Sequence, residues 1–387
     1  MTHRRLAFVA VCTRGAGITI FNYADYSETL LHVPRPYIVC APSSDHRFFR
    51  GGDPIFNRIM KSMIQRFGAD NVLRIPAWPP STALLNRVAA EQNITDMFLE
   101  KWGGRDGVLA NASGVRNLVH ATVIGHQPHG EVYARVSSSV SGSSPVVPIV
   151  VRPPEPAQEG AGAADLRGPD AIPGKCDFPG RITAPCPTIP RGATVFCRHG
   201  GQFQFNIQWA REAVVEVATN RSDVYFVFLT TNSFCSSPSC PTRNLIHLPA
   251  DTDKAAFVRT CDALLHARKE GETFGLAVAE FAVSNKPVLT ANVSFPGSNT
   301  AGAHWRALGA KGLYYHDKAS LIDRLLTFDR RDAAARDWRA YGEYSPEHVM
   351  AQFDEVYLRG GHNRRFFHES AGSGGGHAAL GRSGRHT

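Results

Sequence analysis

The feature that most constrains this chain is an alternation that runs twice. Short apolar runs of strand length alternate with stretches of helical spacing, first from residue 6 to about 124 and again from 193 to 328. In the first stretch Leu6–Cys12, Tyr37–Ala41, Val72–Ile75 and Leu118–Ile124 read as buried strands. Ile18–Leu31, Pro54–Phe67 and Ser81–Glu91 read as helices; in Pro54–Phe67, Ile55, Ile59, Met63 and Phe67 recur every fourth residue, the apolar stripe of a surface helix. In the second stretch the expected strands are Ala193–Cys197, Val224–Leu229, Asn244–Leu248, Ala263–His266, Pro287–Ala291 and Gly312–Tyr315. The expected helices are Phe205–Val217, Asp253–Thr260, Thr273–Ser284 and Lys318–Phe328. Such alternation predicts an α/β chain with parallel sheets covered by helices.

The two stretches are separated by a segment unlike either. Nine prolines fall between Pro153 and Pro190, with Gly/Ala-rich sequence around Gly160-Ala161-Gly162, so few residues there could build a core. The expected organisation is a first domain over 1–152, a linker or insertion over 153–191 and a second domain over 192–344. A C-terminal helix follows over 345–358, opened by Ser345-Pro346, and then a disordered basic Gly/Ser/His tail over 359–387. Length agrees, since 387 residues suit two or three domains at ~150 residues each. Two βα halves leave a cleft between them, where open parallel sheets bind ligands at their carboxyl edges.

Charge excludes one class of partner. Net charge is +8, but five arginines against Glu369 in the tail account for half of it. The folded body is only mildly basic and carries no aromatic-interleaved basic stripe, so no nucleic-acid partner is expected. The eight cysteines are scattered, several inside apolar runs where they read as small hydrophobes, and Cys235 and Cys240 read as a loop rather than a zinc site. Leu6–Cys12 is too short for a signal-peptide core, and no run approaches the ~20 apolar residues of a membrane helix. A cytoplasmic protein without a transmembrane segment is the expectation.

Chemistry concentrates between Cys261 and Ala291. A buried strand leads into Arg268-Lys269-Glu270-Gly271-Glu272-Thr273-Phe274-Gly275-Leu276, and a helix is expected to open near Thr273. Amides at a helix start attract anions, and Gly271 and Gly275 let a ligand approach the backbone. Glu272 and Glu280 are eight residues apart, roughly 12 Å along a helix, enough to reach from a sugar ring across a diphosphate to a ribose.

Glu272 and Glu280 around a Phe-Gly pair, with Asn285-Lys286-Pro287-Val288-Leu289-Thr290 after them, resemble the glutamate signature of retaining GT-B glycosyltransferases of the large family 4, or group 1, type. Sucrose- and glycogen-synthase-like enzymes belong to that family. The resemblance implies two Rossmann-like domains facing a central cleft, with the nucleotide-sugar on the second and the acceptor on the first. It implies a catalytic Glu272, and donor contacts from Gly271, Thr273, Phe274, Gly275, Leu276 and Glu280. Arg198-His199-Gly200-Gly201 resembles the family's basic glycine loop, in which Arg198 grips the diphosphate and His199 and Gly200 line it. The family's usual lysine a few residues later is replaced by the region of Gln202, Gln204 and Asn206. Arg14-Gly15-Ala16-Gly17 resembles the N-terminal glycine loop, which assigns Gly15 and Gly17 to the donor. His120 resembles the histidine that faces the donor sugar, with His126 and His129 as rivals.

The expected activity is transfer of a sugar from a nucleotide-diphosphate sugar, base unspecified, to a glycan, lipid or small-molecule acceptor, with retention at the anomeric carbon. Beyond this co-substrate no cofactor is expected. Asp251-Thr252-Asp253 reads as a helix start rather than a metal site. A nucleotide-sugar epimerase on the same fold, or a catalytically silent sugar-nucleotide or glycan-binding homologue, are the alternatives.

Overall fold

The computed structural model describes residues 4–11, 14–42, 54–76, 78–154, 165–168, 171–172, 175–178, 182–235, 240–241, 243–249, 252–295 and 301–360. Cys12, Asp251, four of the Pro-rich segment's nine prolines and the tail beyond Gly360 lie outside them.

The first half is β1 (Leu6–Val11), α1 (Arg14–Thr29), β2 (Tyr37–Ala41), α2 (Pro54–Phe67), β3 (Val72–Arg74), α3 (Thr82–Glu91), β4 (Asp96–Lys101), β5 (Arg116–Ala121) and β6 (Val132–Arg135). Its six strands are parallel, in the order β3-β2-β1-β4-β5-β6. Side chains alternate between faces, so Phe8 and Phe98 enter one core with α1 and α2, while Val9 and Leu99 enter another with α3. Both faces are covered, which is why the strand centres are apolar on both sides.

The second half is β7 (Lys175–Phe178), β8 (Ile182–Pro185), β9 (Thr194–His199), α4 (Gln208–Asn220), β10 (Val224–Leu229), β11 (Leu245–Leu248), α5 (Lys254–Thr260), β12 (Ala263–His266), β13 (Gly271–Glu272), α6 (Leu276–Val283), β14 (Val288–Ala291), β15 (Ala301–Gly302), α7 (Ala303–Leu308), β16 (Gly312–Tyr315), α8 (Lys318–Thr327), α9 (Arg330–Ala335) and α10 (Pro346–Phe353). The sheet order is β16-β14-β12-β9-β10-β11-β7-β8. Its six parallel strands repeat the winding of the first half, the earliest strand lying centrally and the chain progressing outward on either side. The Pro-rich segment is more than a linker: β7 and β8 form an antiparallel hairpin on this sheet, and Leu166, Cys176 and Ile189 enter its core.

Three departures from the expected local structure bear on the site. Arg14 to Gly17 form the first turn of α1 and not a loop, so Gly15 and Gly17 stand inside a helix at the carboxyl edge of β1. Helix α6 opens at Leu276 with Gly275 as its N-cap, three residues later than expected, because Gly271–Glu272 pair with Ala301–Gly302 as a short parallel ladder. The roughly 12 Å helical spacing between the glutamates therefore does not apply. Third, the cysteines are bonded. Cys176–Cys186, Cys197–Cys261 and Cys235–Cys240 are disulfides, Cys40 is bonded as well, and no cysteine among the described residues is free.

The last helix returns to the first half. Ser345 caps α10, and Val349, Met350 and Phe353, with Tyr357 and Leu358 from the π-helical turn Asp354–Leu358, pack among Leu6, Phe8, Tyr23 and Phe98. Arg116 at the start of β5 donates to the carbonyls of Tyr357 at 2.8 Å and Leu358 at 3.3 Å, satisfying the end of that segment. Among the described residues no helix is long and apolar enough to cross a membrane.

Candidate functional site

In the second sheet the winding direction reverses between β9 and β12, and at such a switch point the loops diverge and leave a crevice at the carboxyl ends of the strands. Strand β9 delivers Arg198 and His199 there, β12 delivers His266, and β13 with the N-terminus of α6 closes the far side.

Arg198 is the least expected side chain in that position. It is only 1% exposed, yet its Nε and Nη1 make no hydrogen bond. Burial lowers its pKa to about 10, with Glu272 pulling the other way, so it remains a cation at neutral pH. Gly200, at φ +140°, makes room for it: a Cβ there would stand 2.6 Å from Nη1.

Glu272 is held by two groups. His266 Nε2 lies 3.0 Å from Oε1, with its Nδ1 on Thr290 Oγ1 at 2.9 Å, and Arg268 Nη1 donates to Oε2 at 2.7 Å. Burial works to raise the Glu272 pKa, but the His266 bond and the Arg268 charge overcome it and bring it to about 2, so the carboxylate is ionised throughout the working range. Glu280, on α6, is treated the same way by different partners. Lys254 of α5 donates to Oε1, and His199 Nε2 lies 3.1 Å from Oε2, close enough to pair though poorly aligned for a hydrogen bond. Its pKa is also about 2, burial again opposed by the cations.

Gly275 sits at φ +88°, ψ +58° as the N-cap of α6, and no side chain caps that helix. A Cβ on Gly275 would stand 3.2 Å from His304 Cβ and 3.3 Å from Glu272 Cβ. The first amides of α6 thus stand open beside Glu272, with a positive end dipole and an unpaired buried guanidinium close by, an arrangement that takes an anion. Thr273 and Phe274 shape the turn through their carbonyls, which accept from Ser137 Oγ of the first half and, at 2.9 Å, from Tyr341 Oη. Leu276 is the first helical residue, and Gly271 pairs with Ala301.

The structure thus brings together Arg198, His199, Gly200, Gly271, Thr273, Phe274, Gly275, Leu276, Glu272 and Glu280. It does not bring His120 into that group. The imidazole is fully enclosed, its Nε2 is 2.9 Å from the Val147 carbonyl, and its ring packs on Tyr23, Phe98 and Tyr357. Burial lowers its pKa to about 4, which keeps it neutral. Gly15 is exposed with open space around it, whereas Gly17 is buried in α1.

Sequence reasoning missed Lys254, Arg268 and His304. Lys254 pairs with Glu280 from another helix, α5, so spacing along the chain carries no signal of it. Gln204 and Asn206 serve the loop itself: Gln204 accepts from the Gly201 amide at 3.1 Å, and Asn206 donates to Glu270. Asp253 caps α5 through the Ala256 amide at 2.6 Å, as expected of a helix start. Among the described residues no group of three or more His, Cys, Asp or Glu could hold a metal ion.

No family model matches the chain, and no curated protein matches it by sequence. Solved structures do. A glycosyltransferase from Rickettsia africae shares 13% identity and a TM-score of 0.59, covering 93% of this chain and 99% of that one. HepE from Anabaena, solved with UDP and glucose, shares 12% identity and a TM-score of 0.58, covering 92% and 99%. Apo OtsA shares 10% identity and a TM-score of 0.52, covering 92% and 99%. At such identity the likeness speaks for the fold alone, and that fold is GT-B: two Rossmann-like parallel-sheet domains facing a central cleft.

Proposed function

We propose that this chain is a glycosyltransferase that moves a sugar from a nucleotide-diphosphate sugar to a hydroxylated acceptor, with retention at the anomeric carbon. The observation that carries the reading is the anion site at the β9–β12 switch point, where sealed Arg198 with two unbonded nitrogens stands beside the uncapped N-terminus of α6. A diphosphate fits both: the guanidinium fork bonds its oxygens and the α6 amides take the rest. Glu272, ionised and fixed by His266 and Arg268, then accepts hydroxyls of the transferred sugar. Glu280, on α6, accepts those of the ribose. As the C1–O bond to phosphate breaks, charge builds on the diphosphate, and Arg198 and the amides are already in place to stabilise it. The acceptor hydroxyl, approaching from the first half on the leaving-group face, bonds to C1 and gives its proton to the departing phosphate. Positioning and electrostatics then supply the rate, and no protein nucleophile is required.

The reading is supported by the fold and by HepE, a protein of the same fold solved with UDP, with UDP-glucose and with UDP plus glucose. The disulfides weigh against the cytoplasmic setting expected from the sequence, because a reducing cytosol leaves such thiols unpaired. Differential alkylation of the protein from its native cell separates the two settings.

The first test is a thermal-shift screen of nucleoside diphosphates and their sugars. A ligand at a hundred times its Kd adds about 2.7 kcal/mol to stability. Donor turnover with and without acceptor, and the anomeric configuration of the product by NMR, follow. No shift with any nucleotide would remove the reading; an inverted product would remove only the stereochemistry.

A further inference from the structure

One side chain next to the proposed donor site has no part in the scheme above. His304 enters α7 directly after the β13–β15 ladder, its ring 4.9 Å from that of His266 and 5.0 Å from that of Trp305. It is 1% exposed, and neither Nδ1 nor Nε2 has a hydrogen-bond partner. A buried polar group without a partner is costly, and a phenylalanine would fill the same space without that cost. The charged and titratable groups around it are His266, Glu272 and Arg268. Burial first, then the neighbouring His266, lowers its pKa to about 3, so the ring is neutral with one N–H donor and one acceptor nitrogen.

We infer that His304 reads a hydroxyl of the donor sugar beside Glu272, and that the site is built for a neutral, hydroxylated sugar rather than a sugar acid. The inference rests on the nucleotide-sugar reading and deepens it. Glu272 is an ionised carboxylate and can only accept, so what meets it must donate. His304 both donates and accepts, which matches a hydroxyl and is half wasted on a phosphate. A uronate carboxylate offers Glu272 no proton and adds a second negative charge next to it. Arg268, a cation that could receive such a carboxylate, already donates through Nη1 to Glu272 and holds its Nε 3.5 Å from Glu270. Gly275 completes the fit, since a side chain there would crowd the His304 Cβ at 3.2 Å.

The experiment is calorimetry on the full chain with UDP, UDP-glucose and UDP-glucuronate, repeated with the guanosine and adenosine diphosphates and their glucose conjugates. The proteins are wild type, His304→Ala and His304→Gln, with a melting curve for each. The wild type is expected to prefer the glucose conjugate to the glucuronate. His304→Ala should weaken the sugar conjugate about ten- to a hundred-fold and leave the free diphosphate unchanged. His304→Gln, whose amide also donates and accepts, should recover most of the loss. Equal loss for diphosphate and sugar conjugate would make His304 a packing residue and overturn the inference, as would no loss at all. Wild-type preference for glucuronate would overturn the sugar class. If the wild type binds none of these nucleotides, the donor reading falls and this inference with it; if diphosphates bind and His304 proves silent, only the inference falls.

Discussion

Arg198 shows what the proposed donor site would cost the fold that carries it. A cation that is fully buried, with two nitrogens unbonded, destabilises the protein that carries it. Replacing Arg198 with Met, of similar length and no charge, should raise the melting temperature while weakening nucleotide-diphosphate binding by about 2–4 kcal/mol. A lower melting temperature with unchanged binding would show that Arg198 serves the fold. The two glutamates should part in kind: Glu280→Ala should mainly weaken nucleotide binding, and Glu272→Ala should mainly lower turnover. Steady-state kinetics beside calorimetry checks this, and two wild-type-like variants would show that the carboxylates serve only their own ion pairs. Arg198, Glu272 and Glu280 were legible because their neighbours along the chain form a pattern. Lys254 and His304 were not, because each reaches the site from a separate helix and only folding brings it there.

Among the elements, the strands missed from the sequence were missed for physical reasons. β4 ends in Glu100 and Lys101, both buried, which breaks the apolar run that marks a parallel strand. Lys101 is paired with Asp106, whereas Glu100 Oε2 has no hydrogen-bond partner and burial pushes the carboxyl's pKa well up. β6 has only four residues, and β7–β8 hides among prolines. The cysteines misled in another way, because an apolar setting suits a cystine as well as a thiol. Cys197–Cys261 ties β9, directly before Arg198, to the C-terminal end of α5 and closes a 64-residue separation. In the chain-entropy picture that is worth about 4 kcal/mol. Cys197→Ser with Cys261→Ser should therefore lower the melting temperature clearly, and an unchanged curve would count against the bond.

At the scale of the whole molecule, buried neutral histidines set the acid limit. His120 and His247 are lowered to about 4 and His304 to about 3, each chiefly by burial, from an ordinary value of 6.5. His199 and His266 are lowered too, burial again the first cause. The stability these rings contribute is fully present above pH 6.5 and is lost as pH falls, because the unfolded chain takes up protons that the buried neutral rings refuse. Burial raises Glu100 in the native state, which works the other way, but the histidines outnumber it, so stability should fall as pH drops from about 6.5 toward 4. Urea midpoints across that range, at constant ionic strength, measure it; a flat profile would mean that these rings titrate in place.

The return of the last helix has a consequence for how the protein is made. Val349, Met350, Phe353 and Tyr357 complete a core whose other members lie among the first residues of the chain. During synthesis the first sheet therefore waits, one face covered only in part by α1 and α2, until nearly everything else has left the ribosome. Residues 1–152 expressed alone should be aggregation-prone, and adding a peptide of residues 345–360 should restore solubility, as with a strand or helix supplied in trans. A soluble, cooperatively melting 1–152 fragment would show that the helix only decorates the first sheet. Otherwise the order of folding runs against the order of translation, and the earliest-made domain is the last to close.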